Sequence, residues 1–221
     1  MFAFWLALLP IFVRSDGLQA VPIAVLAPRE VTDSLVHRIC AEASAIWESA
    51  GVAVVCQRVG SEAEASDWPL DVTLDDRRAR VAPRGALGWI TFRTNRPDPS
   101  IHLSRACAED LLRTTPGLMN KTIASHEILI GRALGRALAH ELGHYLLQSK
   151  VHTSRGLMRR DWSPVDSFAV SRTGLALTAE QRAAVLGYFA SSESQPATHS
   201  SNHSEVADLA NNASAGQKPW S

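Results

Sequence analysis

Three residues in one short segment, His140, Glu141 and His144, have the types and spacing of a zinc enzyme. On a helix, positions 140 and 144 are one turn apart on the same face, so two imidazoles can converge on one ion at about 2.0–2.1 Å. Glu141 lies beside that face, where its carboxylate can hold a water molecule rather than the metal. Chance would give roughly 0.014 such HExxH matches in a chain of this composition. The pattern therefore predicts a Zn²⁺ site with Glu141 as general base.

A zinc enzyme of this kind needs a third protein ligand, and His152 is the first candidate. It lies eight residues after His144. If the helix continued to position 152, this side chain would lie about 12 Å further along the axis, so the helix must end between about 147 and 151. Two carboxylates remain as alternatives. Glu180 lies on a later predicted helix, and Asp161 is the weaker of the two.

The chain resembles the metzincin zinc peptidases over roughly residues 21–190. The resemblance rests on HELGH at 140–144, on the histidine that follows, and on the GLM sequence ending at Met158, which is similar to the methionine turn beneath the zinc of that family. It implies a zinc-dependent endopeptidase that hydrolyses peptide or protein substrates. The metal ligands that it implies are His140, His144 and His152.

The chain also departs from the usual layout of that family. Between His144 and His152 the spacing is eight residues rather than six, and Leu147 and Lys150 stand where a glycine and a histidine are usual. In such enzymes a strand along the cleft pairs with the substrate. The resemblance points here to Leu87, Gly88 and Trp89. The alternative function is a non-catalytic module that binds zinc and peptides; such a module need not keep Glu141.

Hydrophobic patterns predict the elements that must position this site. Strands are predicted at 21–27, 52–59, 70–74, 86–92 and 100–104. Helices are predicted at 31–50, 108–114, 122–148 and 177–190. The initial strand–helix–strand order predicts a crossover between parallel strands. The predicted fold class is α+β with an α/β-like upper subdomain. It has a twisted mixed sheet of about five strands, a long backing helix, an active-site helix and a small irregular C-terminal part with one helix.

The two ends of the chain differ in composition from its centre. The segment 2–13 is twelve apolar residues long, which is short for a membrane span and suits a secretory signal. We therefore predict a signal peptide over 1–20, one catalytic domain over 21–190, and a disordered polar tail over 191–221. An uncleaved anchor or a buried strand is the alternative for the N-terminal segment. The predicted location is outside the cytoplasm: secreted, periplasmic or on the cell surface.

Charge and cysteine content narrow the possible partners and metal sites. Lys plus Arg and Asp plus Glu both number 22, so no basic field favours a nucleic-acid partner. The three cysteines, Cys40, Cys56 and Cys107, allow one disulfide and one free thiol in an exported protein. None has CxxC spacing, which argues against cysteine-based zinc binding. All three could instead be small buried apolar residues.

Overall fold

The computed structural model describes residues 17–75, 85–118 and 122–193. One mixed sheet has the strand order β2-β1-β3-β5-β4; β4 and β5 are antiparallel, and the other neighbours are parallel. The strands are β1 (Gln19–Leu26), β2 (Val52–Val59), β3 (Asp71–Asp75), β4 (Gly88–Arg93) and β5 (Arg96–Ser104). The helices are α1 (Asp33–Trp47), α2 (Glu62–Ala65), α3 (Arg105–Thr114), α4 (Ile123–Leu146), α5 (Pro164–Phe168) and α6 (Ala179–Glu193). This architecture confirms the predicted α+β fold with a five-stranded mixed sheet.

The first three elements form the predicted crossover. The Thr32 hydroxyl caps the start of α1 by accepting a hydrogen bond from the Leu35 amide at 3.1 Å. After α1 the chain makes one 3-10 turn, and Gly51 then adopts a left-handed conformation before β2. Strands β1 and β2 pair in parallel over eight residues each. The apolar face of α1 is thereby held against the sheet.

Helices α1 and α4 pack at very short distance because glycines lie between them. A Cβ at Gly135 would lie 2.6 Å from the Ile39 carbonyl oxygen, and one at Gly131 would lie 2.7 Å from Arg38 Cβ. The buried Trp47 indole also donates a hydrogen bond to the Ala139 carbonyl at 3.0 Å. The part of α4 that precedes the HELGH motif is therefore fixed against α1.

Two segments differ from the sequence predictions. The turn-rich segment after the fourth predicted strand belongs to a tight hairpin, with Thr94 at φ 59° and Arg93 paired to Arg96. Strand β5 therefore begins four residues earlier than predicted. The segment predicted to be irregular after Met158 contains the short helix α5, which a capping box at Ser163 begins.

The predictions for the two chain ends fall largely outside the described residues. The apolar segment 2–13 and the tail residues 194–221 are not described. The predicted signal-peptide boundary near Ala20 lies within β1, and α6 continues three residues beyond the predicted start of the tail. Among the described residues, no helix is both long and apolar enough to cross a membrane.

We predict that the Cys40–Cys56 disulfide is a measurable source of stability. It joins α1 to β2 across a sequence separation of 16 residues, and Cys107 is a free thiol. Closing a loop of this length contributes about 3 kcal/mol. Urea denaturation with and without reductant should show a loss of that order in wild type and in Cys107→Ser. In the Cys40→Ser/Cys56→Ser double variant, reductant should have no effect. An unchanged wild-type midpoint would refute the bond.

Candidate metal centre

The chain leaves α4 through a turn centred on Gln148. This residue adopts a left-handed conformation, φ 49°, in the type of position that a glycine usually fills at a helix end. The Gln148 amide donates to the Tyr145 carbonyl at 3.3 Å, and the Ser149 amide donates to the His144 carbonyl at 3.2 Å. Helix α4 ends at Leu146, so the predicted break before His152 is confirmed.

Lys150, which stands at the usual position of a third histidine, is directed toward the β4–β5 hairpin. Its ammonium group lies 5.0 Å from the centroid of the Phe92 ring and 3.4 Å from the Thr94 carbonyl oxygen. The Phe92 ring also meets the His144 ring edge-on, with centroids 6.2 Å apart. Two more residues of chain then bring His152 back toward α4.

The structure brings His140, His144 and His152 together through one ring nitrogen each. The Nε2 atoms lie 3.2 Å apart for His140 and His144, 3.2 Å for His140 and His152, and 3.3 Å for His144 and His152. Two nitrogens bound at 2.0–2.1 Å to one tetrahedral ion are about 3.3–3.4 Å apart. The geometry of the three rings therefore fits a single zinc ion.

Backbone carbonyls fix which nitrogen of two of these rings carries the proton. His140 Nδ1 lies 2.9 Å from the Leu157 carbonyl oxygen, and His144 Nδ1 lies 2.6 Å from that of Ser149. A carbonyl can only accept, so both Nδ1 atoms must donate and both Nε2 atoms carry lone pairs. Burial lowers the pKa of His140 to about 4 and also lowers that of His144. The two imidazoles are thus neutral at pH 7, as metal ligands must be.

The carboxylates proposed as rival ligands lie outside this cluster. Among the described residues, the three histidines form the one group of three or more such side chains close enough to share an ion. Glu180 is fully exposed near the start of α6, where a hydrogen bond with Thr178 lowers its pKa. Asp161 is exposed and is near enough to His152 for its charge to raise the pKa of that imidazole.

Glu141 lies between α4 and the edge strand β4. Its side chain is buried, and burial raises its pKa to about 8, while the facing amide of Ile90 acts in the opposite direction. Gly88 makes this approach possible, since a Cβ there would lie 3.3 Å from Glu141 Cγ and 3.0 Å from Leu103 Cδ2. A larger side chain at this position would crowd Glu141 and push β4 away from the helix.

Met158 packs against α4 between the two histidines of the motif. It is fully buried, and a Cβ at Gly143 would overlap its sulfur atom. Its carbonyl accepts a hydrogen bond from the Thr153 amide at 2.8 Å, which closes the loop that carries His152. The sequence analysis singled out Met158 but missed Gly143, the residue that makes room for it.

The three candidate substrate-strand residues have different surroundings. The Leu87 carbonyl accepts from the Ser104 amide at 2.9 Å, and Trp89 stacks on His102 of β5 with ring centroids 5.0 Å apart. Because hydrogen-bonding positions alternate along an antiparallel pair, the peptide groups of Gly88 and Ile90 are directed to the other edge of β4. No described strand pairs with that edge.

Comparisons with known proteins find similarity among solved structures only. No protein-family model matches the chain, and no curated protein matches it. Among solved structures, the crystal structure of archaemetzincin from Methanopyrus kandleri is similar, with a TM-score of 0.46 and 14% sequence identity. The match covers 77% of this chain and 96% of that one. We therefore infer function from the geometry of this chain alone.

We predict that Gly143→Ala destabilises the protein, because the added methyl group overlaps Met158. Overpacking of this kind costs about 1–3 kcal/mol. Gly187→Ala is the matched control, since a Cβ at this position of α6 meets no atom within 4 Å. It should stabilise the protein by about 0.5–1 kcal/mol. Urea denaturation of both metal-free variants measures the two effects, and a neutral Gly143→Ala would contradict the packing described here.

Glu141 should make the stability of the metal-free protein depend on pH. Its pKa is raised from 4.5 to about 8, so between these values the native state binds a proton that the unfolded chain lacks. The stabilisation is complete below pH 4.5 and is lost as pH rises toward 8. Relative to Glu141→Gln, the wild-type free energy of unfolding should fall by up to about 1.4 kcal/mol per pH unit in this range. A constant difference between the two proteins would refute a buried, protonated Glu141.

Proposed function

We propose that the protein is a zinc-dependent endopeptidase whose metal ligands are His140, His144 and His152. The observation that carries the proposal is the triangle of Nε2 atoms at 3.2–3.3 Å, with two of the lone pairs fixed by backbone carbonyls. The Nε2 lone pairs of His140 and His144 repel each other at 3.2 Å, and a cation bound by all three nitrogens would remove this repulsion. Three protein ligands also leave a tetrahedral ion one position for water or substrate, as catalytic zinc sites require.

In the proposed reaction, the metal and Glu141 have separate roles. Zinc, when bound, supplies a Lewis acid that lowers the pKa of water to about 7 and polarises the scissile carbonyl. Glu141 then accepts the proton of the attacking water and later passes it to the leaving amine. Burial raises the proton affinity of Glu141, and the charge of a bound zinc ion would lower its pKa again, so that the ionised carboxylate is available to accept the proton. Met158 supports the site from below by packing against Gly143.

The free edge of β4 is the proposed binding surface for the substrate main chain. The peptide groups of Gly88 and Ile90 are directed to this edge, and Glu141 lies next to both residues. An extended peptide could add to the sheet there through main-chain hydrogen bonds. Leu87 and Trp89 would then line the cleft rather than bond the substrate backbone. Binding through the main chain suits cleavage within a chain, because no terminus is needed.

Export from the cytoplasm is part of the proposal. The Cys40–Cys56 bond supports it, because disulfides persist in oxidising compartments and are rare in the cytosol. The apolar segment at 2–13 is consistent with a signal peptide or an anchor.

We predict that Glu141→Gln abolishes peptide hydrolysis while zinc is retained. The substitution keeps the shape of the side chain and removes its ability to accept a proton. General bases contribute about 10²–10⁴-fold, so activity on a quenched fluorescent peptide should fall at least 100-fold. Metal content of the same sample should stay at one zinc per chain. Undiminished hydrolysis would refute the mechanism; zinc binding without hydrolysis in wild type would indicate a non-catalytic module.

The third ligand is tested by zinc content in three variants. His152→Ala should lose stoichiometric zinc, because only two imidazoles remain at the site. Glu180→Ala and Asp161→Asn are matched controls and should keep one zinc per chain and full activity. Loss of zinc in Glu180→Ala, with retention in His152→Ala, would reverse the assignment of the third ligand.

A further inference from the structure

A pocket of about 290 Å³ opens directly beside His140 and Glu141. One wall is the segment 85–88 that leads into β4, and the opposite wall is formed by α4. Small and apolar side chains make up most of these walls, among them Leu111, Ala133 and Ala137. Because the pocket borders both a proposed metal ligand and the proposed base, a side chain that occupies it would belong to a residue next to the scissile bond.

A buried arginine and its ion pair form the floor of this pocket. Arg136 lines it, and its guanidinium is buried and paired with Glu42 at 3.0 Å. Arg172 pairs with the same carboxylate at 2.7 Å. Two guanidinium groups thus share a single carboxylate, and Arg172, the half-exposed one, does not line the pocket. Four backbone and side-chain oxygens accept from Arg136, so this residue holds the floor rigidly.

A second cation, Arg160, lines the same pocket and is exposed. No described residue forms an ion pair or hydrogen bond with its guanidinium. Arg160 lines this pocket together with His140 and Glu141, which places it close to the metal centre. The neighbouring Arg159 differs, because it pairs with Asp166 at 2.9 Å and stacks on Trp162. Among the described residues that line this pocket, Arg160 is therefore the cation available to a ligand.

Glu42 neutralises Arg136, but no described carboxylate is paired with Arg160. Among the described residues that line the pocket, Glu141 is the only carboxylate, and it faces β4 and the metal centre. Asp161 lies next to Arg160 in sequence but does not line the pocket. A carboxylate brought into the pocket would meet the guanidinium of Arg160, which pairs with no described residue. Lysine or arginine side chains would instead be repelled.

We infer that this pocket selects an acidic side chain, aspartate or glutamate, next to the scissile bond of a peptide substrate, and that Arg160 binds its carboxylate. The inference rests on the proposed peptidase function, because only a peptidase has a scissile bond beside this pocket. The pocket itself and the charge of Arg160 do not depend on catalysis. Arg160 is in this view a specificity-determining residue. Charge-assisted hydrogen bonds between guanidinium and carboxylate supply the selectivity.

The test uses a set of peptides that differ at single positions around the cleavage site, with Glu, Gln, Asp, Asn or Lys at each. Wild type should cleave peptides with Glu or Asp at one position roughly tenfold better, by kcat/KM, than those with the uncharged isosteres. Arg160→Gln should remove this preference, and Arg160→Glu should shift it toward Lys. Arg155→Gln is the matched control: it removes an exposed arginine of the same segment that does not line the pocket, and it should keep the preference.

A binding measurement separates this inference from the proposed catalysis. The Kd values of the same peptides are measured by fluorescence anisotropy on Glu141→Gln, with and without Arg160→Gln. Tighter binding of acidic peptides that depends on Arg160 supports the pocket assignment even if wild type cleaves nothing. Hydrolysis with equal rates for Glu and Gln at every position, or a preference that survives Arg160→Gln, would overturn the assignment and leave the peptidase proposal intact.

Discussion

Three imidazole Nε2 atoms that face one another at 3.2–3.3 Å are the constraint on which the site depends. The lone pairs of His140 and His144 repel each other, so the surrounding chain must hold these rings in place. The carbonyls of Leu157 and Ser149 do this for two of the rings, since each accepts from Nδ1 and directs Nε2 inward. Both carbonyls belong to the segment that follows α4. The turn at Gln148 and the packing of Met158 on Gly143 therefore position the ligands as much as the helix does.

Close packing between the helices and the sheet also holds the residues of the metal centre in position. Glycines let α1 approach α4, and Gly88 lets β4 approach Glu141. Lys150 extends the contact at the other end, where it connects the turn after α4 to Phe92 and the β4–β5 hairpin. The longer connection before His152 thus has a physical role. It fixes a wall of the cleft while leaving enough chain for the third histidine to reach the other two.

The sequence predicted the features that depend on local patterns. It did not predict the features that depend on contacts between residues distant in the chain. Alternating and helical periodicity placed all five strands and the four longer helices, and HELGH with His152 located the ligand cluster. The hairpin at Thr94 was missed because prolines around it suggested a loop. Gln148 in a left-handed turn, the carbonyl of Ser149, and Arg160 beside His140 were also missed. Their roles arise from tertiary contacts, which composition and spacing do not encode.

X-ray absorption at the zinc edge of the purified full-length protein tests the central claim most directly. Coordination by His140, His144 and His152 predicts three imidazole nitrogens at about 2.0–2.1 Å plus one oxygen ligand. The imidazole rings should be evident from their outer-shell scattering. A sulfur ligand near 2.3 Å, fewer than three imidazoles, or a sample without stoichiometric zinc would contradict the account.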